Sequence, residues 1–311
     1  MKFKKIITLS IGIPMLLGGC MNLDLGNHDK NGDKTEANNN QAEYNQNLIR
    51  VQDYTGQGYA LDGGQATAKI AEAHHEEIEK AVKAFFLDKY KTKVKVHNIV
   101  GALNAASVFV ESEGEPHFHT NAVVPIDVKK QEVKTDKVWS QEGQVEDSII
   151  GGIYAMAFEK ELQKLDHYLE ETVKNEPVVG TRQEAINNTD ASGFSTTFYY
   201  LTISGNSLNH LYLEYLKHPD KSKEEWKKEI KRTEIDPKSC NFNIQLYMEK
   251  PNTEPNKGIF NRIVNGLEDM EGLPPGAYSV YLSDNTVDKR TAVNSKQNTL
   301  ERAYPNYIII N

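Results

Sequence analysis

The sequence predicts an α+β fold: an antiparallel or mixed sheet packed against long amphipathic helices. Three observations predict it. Two long stretches repeat apolar residues at three- and four-residue steps, the period of a helix face. Several shorter stretches alternate apolar with polar residues, the period of a half-covered strand. The two patterns come in clusters and do not alternate regularly, which disfavours a doubly wound parallel sheet.

RVQDYTGQGYALDGG, residues 50–64, spaces aromatic residues with glycines, so Tyr54 and Tyr59 are expected to dock the chain onto the domain. Its glycines do not form G-x-G-x-x-G between a strand and a helix, so a nucleotide loop is not expected. A helix follows over 66–90, with Ile70, His74, Ile78, Val82, Phe85 and Phe86 on the apolar side and Lys69, Glu72, Glu76 and Lys83 on the wet one. Residues 94–101 and 105–112 alternate as strands. EGEP at 113–116 turns the chain, and 117–127 returns antiparallel, with Pro125 near an edge or end.

A second long helix is expected over 144–174, with Ile149, Ile153, Leu162, Leu165 and Leu169 on one face. Gly151 and Gly152 either admit a close neighbour or delay its start to Ile153. Glu176-Pro177 stops it. Residues 178–193 read as strand fragment and loop, and 198–203 as a strand. Helices follow through His218 and over 220–232, the latter holding a Trp226–Ile230 pair. Strands at 240–249 and 277–283 flank an amphipathic helix at 258–270. The run 284–303 reads as exposed, and YIII as a last strand.

Ahead of all this stands the leader. Lys2, Lys4 and Lys5 precede an uncharged segment from Ile6 to Leu17, and Gly18, Gly19 and Cys20 close it. Basic start, apolar core and small residues at the cut make a signal peptide, residues 1–19. The apolar run is too short to span a bilayer, which takes about 20 residues. Leu17-Gly18-Gly19-Cys20 resembles the lipobox of bacterial lipoproteins. That resemblance implies cleavage before Cys20, a diacylglyceryl thioether and palmitate on Cys20, and a lipid-anchored chain at the extracytoplasmic face of the cell membrane. Two or more acyl chains anchor firmly where one does not.

Residues 20–47 are rich in Asn, Asp and Gly and cannot bury enough surface to offset their ordering entropy, so they read as a flexible tether. Residues 48–311 are then the soluble α+β region, as one domain or as two lobes with a boundary near 178–195. Removing residues 1–19 removes three lysines and no acid, taking the net charge from −8 to −11. Such an acidic chain is not expected to bind nucleic acid. With Cys20 acylated, Cys240 has no disulfide partner and reads as a small buried side chain.

Chemistry-bearing residues are sparse. In His117-Phe118-His119 the two imidazoles share one strand face and Phe118 faces the core. With His97 from the neighbouring strand they are candidate metal ligands; the set is incomplete, so no metal or other cofactor is expected. His74-His75-Glu76-Glu77 lacks the H-E-x-x-H spacing; His74 is expected in the core and His75 to pair with Glu79. Ser192, Ser195 and Ser204 lack the G-x-S-x-G elbow. Asp284, Asn285 and Asp288 lack calcium-loop spacing and read as a solvated loop. Tyrosines concentrate in the second half, and Tyr199, Tyr212, Tyr247 and Tyr278 are candidates for a ligand groove.

The lipobox, the Asn/Asp tether, RVQDYTGQGY, PHFHTNAVVPID and GLPPGAYSVYL together resemble a family of lipoproteins of unknown function from staphylococci and related Gram-positive bacteria. The resemblance implies a location and no catalytic residue. The leading expectation is a membrane-tethered extracytoplasmic lipoprotein that binds an envelope component, solute or protein without catalysis. The alternatives are metal-assisted hydrolysis at His117 and His119, and a structural or assembly role.

Overall fold

A computed structural model describes residues 46–232, 235–294 and 298–311. The leader, Cys20 and the tether as far as residue 45 lie outside the described residues. Residues Tyr44–Asn311 form one compact unit, and 178–195 supplies two short strands and a helix within it.

An N-terminal arm opens the described chain with β1 (Leu48–Arg50) and a 3-10 turn over Val51–Asp53. The first long periodic stretch is broken once, into α1 (Gln65–Ala73) and α2 (His75–Tyr90). His74, expected in the core, is the residue at the break; its Nδ1 lies 2.9 Å from Glu77 Oε2 and its side chain is half-exposed. His75 does face Glu79, at 3.9 Å. Ile78, Val82, Phe86 and Tyr90 form the buried stripe of α2.

That stripe covers a hairpin sheet. β2 (Val94–Ala102), β3 (Ala105–Ser112), β4 (His119–Asp127) and β5 (Glu132–Val133) pair antiparallel in chain order. β3 lies between β2 and β4 and is buried along nearly its whole length. Pro125 falls two residues from the end of β4, where a missing N–H disturbs little of the ladder.

The second long stretch is also broken, at Phe158, into α3 (Gln144–Ala157) and α4 (Glu159–Asn175). α4 is amphipathic, with Leu162, Leu165 and Leu169 inward. α3 is not: every residue from Ser148 to Ala157 is buried. It packs against β4 of the hairpin sheet and against strands of a second sheet, so it has no wet face. The two glycines differ. A Cβ on Gly151 would meet only ordinary contacts, at 3.6 Å or more, whereas one on Gly152 would lie 2.8 Å from the His117 carbonyl oxygen. Gly152 is what lets α3 approach that backbone.

The second sheet collects β6 (Val178–Val179), then, after α5 (Gln183–Thr189), β7 (Phe194–Ser195) and β8 (Tyr199–Ile203). α6 (Asn209–Lys217) and α7 (Lys223–Glu229) pack on α3. Trp226 of α7 belongs to the core, with the Lys221 ammonium 4.7 Å from its ring centre. β9 (Cys240–Met248) and β10 (Gly276–Ser283) are parallel, joined by α8 (Lys257–Glu268), and β8 pairs antiparallel with β9. Cys240 is fully buried, and burial pushes its thiol up to about 12, which leaves it inert.

Residues 284–303, expected to be exposed, instead carry β11 (Thr286–Asp288) and β12 (Leu300–Arg302). β12 and β13 (Ile308–Ile310) pair with β10, and β1 pairs with β11. Asp284 and Asn285 are buried, and Asn285 Nδ2 donates to Gln52 Oε1 at 2.7 Å and Glu249 O at 3.0 Å. Asn285 thereby ties this segment to the arm and to the end of β9. One large core runs from Ile70 to Ile308 through both main sheets; Val51, Tyr54, Ala185, Tyr247 and Val287 make a smaller one under the arm. Among the described residues no helix is long and apolar enough to cross a membrane.

Candidate functional site

Two features flank the segment 190–195. The first is a histidine–glutamate cluster on the hairpin sheet. Antiparallel register sets Glu111 of β3 opposite His119 of β4, and His117 lies two residues ahead. The register of β2 slips between Val96 and Asn98, so His97 is the extra residue of a bulge. From there its Nε2 lies 2.7 Å from Glu111 Oε2, while His117 Nε2 lies 2.9 Å from Glu111 Oε1. One carboxylate thus bridges two imidazoles.

His117 and His119 stand edge to face, with ring centres 5.3 Å apart, and Phe118 between them is fully buried in the core, as the alternation predicts. A ligand atom from each of Glu111, His117 and His119 lies within 4.8 Å of the other two. His119 is fully buried. Its Nε2 lies 3.1 Å from Asn187 Oδ1, which also accepts from Gln183 Nε2 at 2.8 Å. An oxygen facing His119 puts the hydrogen on Nε2 and leaves Nδ1 as a bare lone pair. That buried Nδ1 has no hydrogen-bond partner. Leaving such a group unmatched costs about 1–3 kcal/mol.

The backbone holds the cluster from two sides. His119 N donates to Gly193 O at 2.7 Å, and Gly193 N donates back to His119 O at 3.0 Å. Gly193 has φ +105°, a conformation that side chains rarely adopt. On the other side lies Gly152 beneath His117. Burial is the largest influence on Glu111 and alone would raise its pKa, but the hydrogen bonds from His117 and His97 outweigh it and hold the carboxyl below its usual 4.5. Burial holds His119 below the usual 6.5, against the pull of the Asp190 charge.

The second feature is a cavity of about 260 Å³ between the arm, α5, the β7–β8 hairpin, β9 and residues 287–293. Tyr54, Tyr199, Tyr200 and Tyr247 line it together with seven Ser and Thr residues and one carboxylate, Asp190. Asp190 accepts from Ser195 Oγ, and from Ser192 N at 3.0 Å. Burial pushes the Tyr200 and Tyr247 phenols up to about 12, and that of Tyr54 higher, so all three stay neutral at physiological pH. Such a wall offers aromatic faces and hydroxyls that both donate and accept.

The structure joins His97 and His117 through Glu111 and sets His119 close to Glu111 and His117, and it places Tyr199 and Tyr247 on the cavity. It sends the other two tyrosines elsewhere. Tyr278 is core, stacked on Phe242 at 4.5 Å, and Tyr212 stands against Tyr90, its ring centre 6.5 Å away. Tyr54 and Tyr59 dock as expected, Tyr54 through its hydroxyl to Lys289 O at 2.9 Å and Tyr59 edge-on to Phe109. Sequence reasoning missed Glu111, Asn187 and Asp190. Pairing the 105–112 and 117–127 strands around the EGEP turn would have exposed Glu111, whose cross-strand partner is His119. Asn187 and Asp190 carry no local signal.

No curated protein matches the chain. Among solved structures, the fold is similar to the crystal structure of a DUF1672 family protein from Staphylococcus aureus subsp. aureus Mu50, with a TM-score of 0.69 and 19% identity over 85% of this chain and 98% of that one. Residues 41–310 match the family described as "Protein of unknown function (DUF1672)", and the chain belongs to that family.

Proposed function

We propose that the protein is a lipoprotein, held at the extracytoplasmic face of the cell membrane through Cys20, that captures a small polyhydroxylated solute. The cavity under the N-terminal arm carries this reading. Its volume of about 260 Å³ lies near the lower end of small-molecule sites, which suits a ligand of about one sugar ring. Its neutral phenols and clustered hydroxyls match a ligand with apolar C–H faces and many hydroxyl groups. The order Lys2–Lys5, apolar segment, Gly18-Gly19-Cys20 supports export and acylation. The arm forms one wall of the cavity through Val51 and Tyr54.

Two measurements test this. Cys20→Ser should move the protein from the membrane fraction to the soluble fraction; unchanged retention after a carbonate wash refutes the anchor. In a thermal-shift panel of free hexoses and N-acetylhexosamines, at least one sugar should raise Tm in a saturable way. Tyr200→Phe should weaken that response. No shift with any sugar refutes the ligand class.

A further inference from the structure

We propose that Glu111, His117 and His119 bind a divalent transition-metal ion of the zinc class, with His97 and Asn187 as positioning residues. This site is separate from the cavity, and its test does not depend on a sugar. Two imidazoles and one carboxylate are a common zinc donor set that leaves a fourth position open. The donors already converge: the three ligand atoms lie within 4.8 Å of one another. A tetrahedral ion with bonds of about 2.0–2.1 Å holds donors roughly 3.3–3.4 Å apart, so filling the site takes a contraction on the order of 1 Å.

The deciding observation is the bare Nδ1 of His119. A histidine–glutamate network without an ion accounts for Glu111 and for the Nε2 atoms of His97 and His117, which pair with its two oxygens. It leaves unexplained a fully buried imidazole whose Nε2 is committed to Asn187 and whose other nitrogen meets no donor among the described residues. An ion completes that nitrogen. The outer contacts have the form that ligand-orienting groups take: a carbonyl oxygen fixes the tautomer of His119, and a second imidazole turns the Glu111 carboxylate. His117 keeps 31% of its side chain exposed, which gives an ion a route from solvent and leaves the open position wet. None of these residues lines the cavity.

The test is equilibrium dialysis of the full-length chain in detergent against micromolar zinc chloride, with elemental analysis. One equivalent of zinc should be retained, and X-ray absorption should report two imidazoles and one carboxylate oxygen at about 2.0–2.1 Å. Glu111→Gln, nearly isosteric, and His117→Ala, on a partly exposed side chain, should each lose that equivalent. His97→Gln should keep it with about 10–100-fold weaker affinity, as expected of a residue that only orients a ligand. Folded wild-type protein that retains no zinc overturns the proposal. So does retention unchanged in Glu111→Gln, which would put the ion elsewhere. Circular dichroism of each variant separates lost binding from lost fold, and Glu111→Gln decides if His117→Ala does not fold.

Discussion

In the hairpin sheet, β2, β3 and β4 each pair with their neighbour in the chain. The mixed sheet sets β9 beside β10 in parallel across α8 and gathers further strands from between Val178 and Ile310. Each architecture makes its own kind of site. Short connections bring His97, Glu111, His117 and His119 together at little cost in loop closure, so a compact polar cluster forms from one stretch of chain. Pieces arriving from distant places leave space where they meet, and the cavity lies among the arm, α5, β8, β9 and the 287–293 segment. Local pairing concentrates chemistry, while remote pairing makes room.

The largest expected effect tests whether the two sheets stand or fall together. Phe242 of β9 is fully buried, stacked on Tyr278 and near Tyr154 and Tyr199. Phe242→Ala should cost about 3–5 kcal/mol in urea unfolding. Because one core spans both sheets, hydrogen exchange in β3 should accelerate as much as in β9. Protection that persists in β3 while β9 opens would make the sheets independent folding units.

The same contrast decides what could be read in the sequence. Alternation located β4, which keeps a two-residue period over its nine residues, while β2, with its bulge at His97, and β3, buried on both faces, were legible from their β-branched runs and the short turns that join them. It located β9 and β10 as strands but carried nothing about their parallel pairing, which α8 imposes from outside either segment. The breaks at His74 and Phe158 carry neither Pro nor Gly, so one helix was expected where each pair stands. α5 was missed because seven polar-rich residues between two short strands show no usable period. The His-x-His pair was visible; the carboxylate beside it was visible only once two strands were set in register.

The next test lies where the sheets meet, at α3. Gly152→Ala would force a methyl against the His117 carbonyl and should destabilise by about 1–3 kcal/mol. Gly151→Ala, one residue away, meets no such contact and should be neutral or gain up to about 1 kcal/mol from helix propensity. Equal effects of the two substitutions would mean that α3 does not press on the hairpin sheet there.

Acid should act through the hairpin sheet first. His119 binds its proton less readily when folded, so the unfolded state takes up more protons as pH falls below about 6.5 and stability drops. Glu111 is also depressed, so its contribution is present above about 4.5 and is lost as pH falls through its folded value. Urea midpoints of chelator-treated protein should therefore decline in two stages on acidification. His119→Gln should flatten the upper stage and leave the lower one; a wild-type midpoint constant from pH 7 to pH 5 would contradict the burial of a neutral imidazole.

The smallest effect is expected on the outside of the mixed sheet. Arg262 of α8 grips Glu176, at the end of α4, with Nε 2.6 Å from Oε1 and Nη2 2.9 Å from Oε2. The fork geometry is favourable, and the pair holds Glu176 below its usual pKa. Yet the arginine side chain is 60% exposed, and water competes for both partners. Glu176→Gln should therefore cost less than about 1 kcal/mol, and less still in high salt. A loss of several kcal/mol would mean that the helices outside the mixed sheet are clamped by charge. That would set them apart from the hairpin sheet, whose covering helix α2 is held by the buried stripe from Ile78 to Tyr90.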